Sequence, residues 1–230
     1  MSWLSSFLAS SIGQKVVMSL TGLFLILFLL VHLVGNLQLL YDDGGTAFNI
    51  YADFMKSNPL IKIVSYGLYF FILLHSIQGI VLWRKNRAAR GTDRYAVNSS
   101  HGTSFASRNM AWLGIVIFIF LVIHMWQFWY PVMTGGVDLV PIEHDGHIKE
   151  VKNLYALVAL AFKEWWYVLF YVVSMIIVGF HLYHGFESSF QTIGWNHKRF
   201  SNLIRAIGIV YSMVIPLGFA LIPLYFYFFK

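Results

Sequence analysis

The stretch WWYVLFYVVSMIIVGFHLYHGF, Trp165–Phe186, runs for 22 residues without an Asp, Glu, Lys or Arg. A bilayer core takes about 20 apolar residues of helix, so this stretch reads as a membrane span rather than a helix of a soluble core. Near one end it carries two histidines, His181 and His184. An imidazole placed in hydrocarbon is costly unless it has a partner, which makes both functional candidates.

Four similar runs flank it, at about 16–41, 60–83, 109–130 and 203–229. The expectation is an all-α integral membrane bundle of five transmembrane helices, with residues 1–230 forming a single domain and no connection long enough for a second. The composition agrees, since 58% of the chain is hydrophobic and only 11% charged, too little charge to coat a soluble protein of this size. The first run follows Lys15 as a signal peptide might begin, but it exceeds an h-region and lacks an A-x-A site, so it is read as a retained span.

Cationic residues accumulate on the cytoplasmic side of membrane proteins. With the N-terminus inside, the inner segments hold ten Lys and Arg against two acids, Asp93 and Glu187, whereas the outer segments hold six Lys against eight acids. The N-terminus is therefore expected to be cytoplasmic and the C-terminus outside. This asymmetry accounts for the net charge of +6 without a nucleic-acid partner.

The chain has no cysteine, which excludes disulfides, thiolate-held iron–sulfur clusters and covalent c-type haem. Of nine histidines, His101, His144, His147 and His197 fall in loops, where the HDGH spacing at 144–147 is too weak a metal signal to assign. The others lie within spans: His32 in the first, His75 in the second, His124 in the third, and His181 with His184 in the fourth. For any single one, an interhelical hydrogen bond is an equal alternative to a functional role. Four helices each carrying a histidine favour function.

Flanking charges act as depth rulers. His32 lies 17 residues beyond Lys15 and His124 lies 16 beyond Arg108, at a shared outer level. His75 is 9 residues before Arg84 and His181 is 6 before Glu187, at a shared inner level. The levels differ by roughly 8 residues, or ~12 Å along a straight helix. Two histidines from different helices can clamp one porphyrin from both faces, so two pairs imply two haems. Gly35, Gly79 and Gly185 follow His32, His75 and His181 at same-face spacings and offer room beside each ligand, whereas Phe128 takes the corresponding place after His124. Such glycines serve close helix packing equally well. Zinc suits two layers of two ligands poorly.

With these residues in view, the sequence resembles the dihaem cytochrome b membrane-anchor subunit of succinate dehydrogenase and fumarate reductase (respiratory complex II), of the single-subunit five-helix type. The likeness spans essentially the whole chain and rests on LVHLVGN around His32, AFNIYADFMKSNP in the first outer connection, LLHSIQGIVLW around His75, IHMWQFW around His124 and GFHLYHGFESSFQTIGWNH around His181. It implies His32 and His124 as iron ligands of an outer haem b, and His75 and His181 as those of an inner haem b. His184 matches a position where relatives can carry another residue. The resemblance also implies a flavoprotein subunit and an iron–sulfur subunit docked on the cytoplasmic face, near the basic connection RKNRAARGTDR. Dicarboxylate chemistry would reside in those partners, since this chain lacks a Rossmann fingerprint and cysteines.

The implied function is electron transfer from succinate, through the iron–sulfur subunit and two b haems, to a membrane quinone, menaquinone, in the bacterial inner membrane. Asn36, Gln38, Asp53, Trp126 and Gln127 are candidate quinone contacts near the outer pair. Some relatives carry a proton-conducting glutamate two residues before the fourth-span ligand; here that position is Gly179, so the route does not carry over, and succinate oxidation is the direction favoured. Electrons leaving a negative interior gain ~2.3 kcal/mol per 100 mV for a full crossing, which assists reduction of a low-potential quinone. Two alternatives remain open. One is a haem subunit of a nitrate reductase, formate dehydrogenase or hydrogenase, whose histidines are placed differently. The other is a non-redox membrane protein, which predicts a colourless chain.

Overall fold

A computed structural model describes residues 2–90, 105–144, 146–195, 197 and 199–230. His101, Asp93, Arg94, Asp145 and Lys198 lie outside the described residues, as does the side chain of Arg90. Five helical stretches are long and apolar enough to cross a membrane: Ser11–Leu40, Pro59–Ala89, Phe105–Thr134, Trp165–Thr192 and Ser201–Phe229. In the second of these, none of the most apolar window is buried within the protein, and Ile63 is 68% exposed. Apolar side chains displayed on that scale belong against lipid.

In chain order the helices are α1 (Trp3–Ala9), α2 (Ser11–Asn36), α3 (Thr46–Ser57), α4 (Pro59–Arg90), α5 (Phe105–His124), α6 (Tyr130–Thr134), α7 (Leu154–Ala161), α8 (Trp165–Thr192) and α9 (Ser201–Phe229). A 3₁₀ turn, Leu37–Leu40, ends the first span, and a π turn, Met125–Trp129, joins α5 to α6. Strands β1 (Leu139–His144) and β2 (His147–Lys152) form an antiparallel hairpin in which His144 faces His147 in register.

The helix bounds need correction. The spans were bounded where apolarity ends, at 83 and 186, but α4 continues to Arg90 and α8 to Thr192. Backbone hydrogen bonding does not stop at the edge of the hydrocarbon, and the α4 extension RKNRAAR is rich in good helix formers. The chain is 83% helical, in keeping with an all-α bundle, and one connection adds the β1–β2 hairpin. Ile142 and Val151 turn inward and are buried, which gives this polar connection an apolar face of its own. At the π turn, the Tyr130 amide bonds to the Met125 carbonyl, and Pro131 follows without an amide hydrogen to give.

The helix starts have local causes. Asn58 Oδ1 accepts from the amides of Leu60 and Ile61 at 2.9 and 3.3 Å, and Pro59 occupies the first turn of α4, where a missing N–H costs nothing. Gly45 opens α3 with φ +87°, and the ring of Tyr155 lies where any side chain there would go.

Chain contacts divide the protein into two compact units. One comprises Met1–Phe28, Leu68–Ile117 and Ile177–Met213; the other comprises Leu29–Gly67, Phe118–Ile176 and Val214–Lys230. In the first, Phe24 packs edge-on against Phe71 at 4.9 Å, and the Tyr211 hydroxyl donates to the Ile26 carbonyl. In the second, Asn49, only 2% exposed, ties α3 to α7: its Nδ2 donates to Asn153 Oδ1 at 3.2 Å and its Oδ1 accepts from the Tyr155 amide at 3.0 Å. Asn153 also caps α7 through the Ala156 amide. The AFNIYADF segment thus has an architectural reason for its asparagine. At the chain's end, Lys230 Nζ donates to Asp42 Oδ1 at 2.7 Å, a hydrogen bond that holds this carboxyl below its ordinary range.

Candidate functional site

Each unit brings together one of the histidine pairs. In the first, His75 of α4 and His181 of α8 have ring centroids 6.2 Å apart with planes at 70°. In the second, His32 of α2 and His124 of α5 have centroids 6.0 Å apart with planes at 88°. Two imidazoles bound to opposite sides of one metal, through bonds of ~2.0 Å with each centroid ~1.1 Å farther back, have centroids ~6.2 Å apart. Edge-to-face ring pairs span a range that includes this value, so one distance alone does not decide. Its recurrence in two pairs drawn from four separate spans is the informative feature.

Around His75, Thr21 Oγ1 donates to the carbonyl of Val17 or Met18, at 2.8 and 3.0 Å, and lies 3.1 Å from His75 Nδ1. With its one hydrogen directed to a carbonyl, this hydroxyl meets the ring as an acceptor. The proton then sits on Nδ1, and Nε2 keeps its lone pair as a ligating atom. On the other side of the pair, His181 Nδ1 is buried with no hydrogen-bond partner among the described residues, as is Nε2 of Gln78, one turn beyond His75. His184 makes no ring contact with either histidine among the described residues.

Two glycines face these imidazoles directly. A Cβ on Gly22 would lie 3.3 Å from Cε1 of His75, and one on Gly114 would lie 3.8 Å from Cε1 of His181. Neither is three or four residues from a histidine of its own span, the spacing that singles out Gly35, Gly79 and Gly185. The signal was available: Gly22 precedes His32 by ten residues on the first span, and Gly114 precedes His124 by ten on the third.

The glycines chosen from spacing behave otherwise. A Cβ on Gly35 would strike the Tyr51 ring at 2.4 Å, so this face of α2 receives a tyrosine from α3 rather than staying open beside His32. Gly79 and Gly185 are met only by the methyl ends of Met18 and Met110, at 3.2 and 3.4 Å.

The second unit is walled by aromatic rings. Phe219 lies 5.5 Å from His32, and Phe120, Phe128 and Tyr171 lie 5.7, 5.3 and 6.1 Å from His124. The Tyr171 hydroxyl is 3.0 Å from His124 Nδ1, and the Tyr167 hydroxyl is 3.4 Å from that of Tyr171. Asn36 Nδ2 donates to the His32 carbonyl at 2.7 Å and lies 3.3 Å from His32 Nδ1.

These surroundings fit a flat metal macrocycle held by two imidazoles. Each pair offers two imidazole nitrogens to a metal, and the buried, unpartnered amide nitrogen of Gln78 matches a group that brings acceptors. Among the described residues, no group of three or more His, Cys, Asp or Glu gathers as a metal site. Two imidazoles leave a metal's remaining positions to whatever holds it, as an iron porphyrin does with its own four nitrogens.

The candidate quinone contacts are spread over α2, the 3₁₀ turn, α3 and the π turn. Asp53 is ion-paired with Lys149 at 2.5 Å, Trp126 stacks on Tyr130 at 4.6 Å, and Asn36 is engaged with its own helix. Gln38 sits in the 3₁₀ turn and Gln127 in the π turn, and among the described residues no hydrogen bond or ring contact joins any two of the five. Compared with protein-family models, curated proteins and solved structures, the chain matches none.

Proposed function

We propose that this chain is the membrane anchor and electron-transfer subunit of a succinate:quinone oxidoreductase in a bacterial cell membrane, with its N-terminus cytoplasmic. His75 and His181 would hold an inner haem b, and His32 and His124 an outer one. When bound, the two haems supply one-electron carriers between an iron–sulfur subunit and a quinone, menaquinone by resemblance.

The chain's own residues supply the rest. Thr21 fixes the tautomer of His75. The phenyl rings around His124 exclude water, which strengthens every polar contact inside. The end of α4, with exposed Arg84, Lys85 and Arg87, offers a cationic surface for the partner subunits. Arg87 lies over the Trp83 ring at 5.7 Å and Lys85 donates to Gln14 at 3.0 Å, so part of that charge is held in place.

The observation that carries this reading is the pair of ring separations, 6.2 and 6.0 Å, on four separate spans. The test is purification of the chain from its native membrane with whatever accompanies it. A partner with bound flavin should co-purify, and succinate should reduce the b-type absorbance. Reduction by formate or hydrogen with no response to succinate would assign the chain to a different respiratory complex.

A further inference from the structure

His124 is held differently from its partner. Its Nδ1 meets the Tyr171 hydroxyl at 3.0 Å, and the Tyr167 hydroxyl, 3.4 Å from that oxygen, completes a short chain. Tyr171 is 6% exposed and boxed by Phe120 and Phe162, both with ring centroids 5.0 Å away. No solvent competes for a hydrogen bond in such a place. Across the pair, the Asn36 amide nitrogen, already bonded to the His32 carbonyl, lies 3.3 Å from His32 Nδ1.

We infer that Tyr171 is the positioning residue of this pair: its oxygen accepts the Nδ1 proton of His124, turns Nε2 toward His32, and makes that imidazole the stronger electron donor. The inference rests on the reading of His32 and His124 as a haem pair. A hydroxyl can also donate, but an O–H directed at Nδ1 would leave the proton on Nε2 and disable it as a ligand. Outer partners of this kind raise ligand basicity, and stronger donation favours the oxidised metal. Tyr171 therefore sets the outer haem to a lower potential than two plain imidazoles would give.

Tyr171→Phe keeps the ring in its box and deletes only the oxygen. In the purified complex, redox titration followed at the haem absorption bands should show one haem moved to higher potential. The expected change is at least threefold in its reduction equilibrium, ~28 mV at 59 mV per tenfold for one electron. The affected haem should be the one lost in His124→Ala, and the other should not move. If Tyr171→Phe fails to assemble, 3-fluorotyrosine at that position, with the same shape and a weaker acceptor, should give the upward shift. Unmoved potentials in an assembled two-haem protein overturn the inference. Retention of two six-coordinate haems in His124→Ala overturns the haem reading of the pair itself.

Discussion

A Cβ on Gly22 of α2 would lie 3.3 Å from Cε1 of His75 on α4, closer than side chains ordinarily approach. The absent side chain is what lets His75 occupy its place opposite His181. Gly22→Val adds branched carbons there and should remove or distort the inner haem while leaving the outer haem intact. Gly67→Ala, where nothing lies within 4 Å of the added carbon, should change neither. Optical spectra of the reduced proteins read both outcomes; two normal haems in Gly22→Val would show that this contact is unimportant.

The fourth span offers two histidines, and the structure pairs His181, not His184, with His75. His181→Ala should cost the inner haem, because only His75 would remain to hold it. His184→Ala should leave two six-coordinate, low-spin haems. Low-temperature spectra resolve the two, and the opposite pattern would move the ligand by one helical turn.

The five spans were legible because lipid-facing helices need apolar residues all round, and the pairing was legible because charges such as Lys15 and Arg84 mark depth. Gly35 was misjudged because spacing along one helix says nothing of what another element inserts, here Tyr51. The roles of Tyr171 and Thr21 were hidden for a related reason. A tyrosine in WYVLFY or a threonine in SLTG looks like ordinary span composition until the fold sets it against an imidazole 47 or 54 positions away. α3 and the hairpin lie in connections whose polarity masked short apolar faces, and α7, LYALVALA, is an apolar run too short to read as a span.

Asn49 joins α3 to α7 with both ends of its amide, so Asn49→Leu leaves the Tyr155 amide without its partner. An unsatisfied buried group costs about 1–3 kcal/mol. Thermal unfolding in detergent should begin at a lower temperature, with the haem spectrum unchanged before the transition. Unaltered stability would mean that water replaces the amide.

The basic end of α4 and the residues after it are proposed to seat the iron–sulfur subunit. Replacing Arg87, Arg90 and Arg94 with Ala should loosen the complex in a salt-sensitive way while both haems stay bound. Equal association at every ionic strength would leave these charges as topology signals alone.

The central claim is that four histidines on four spans hold two haems. Pyridine haemochrome analysis of the purified chain, set against its polypeptide concentration, tests it most directly. The account predicts a ratio near two, and the His32→Ala and His75→Ala proteins should each fall to about one. A colourless protein, or one haem that survives both substitutions, would contradict it.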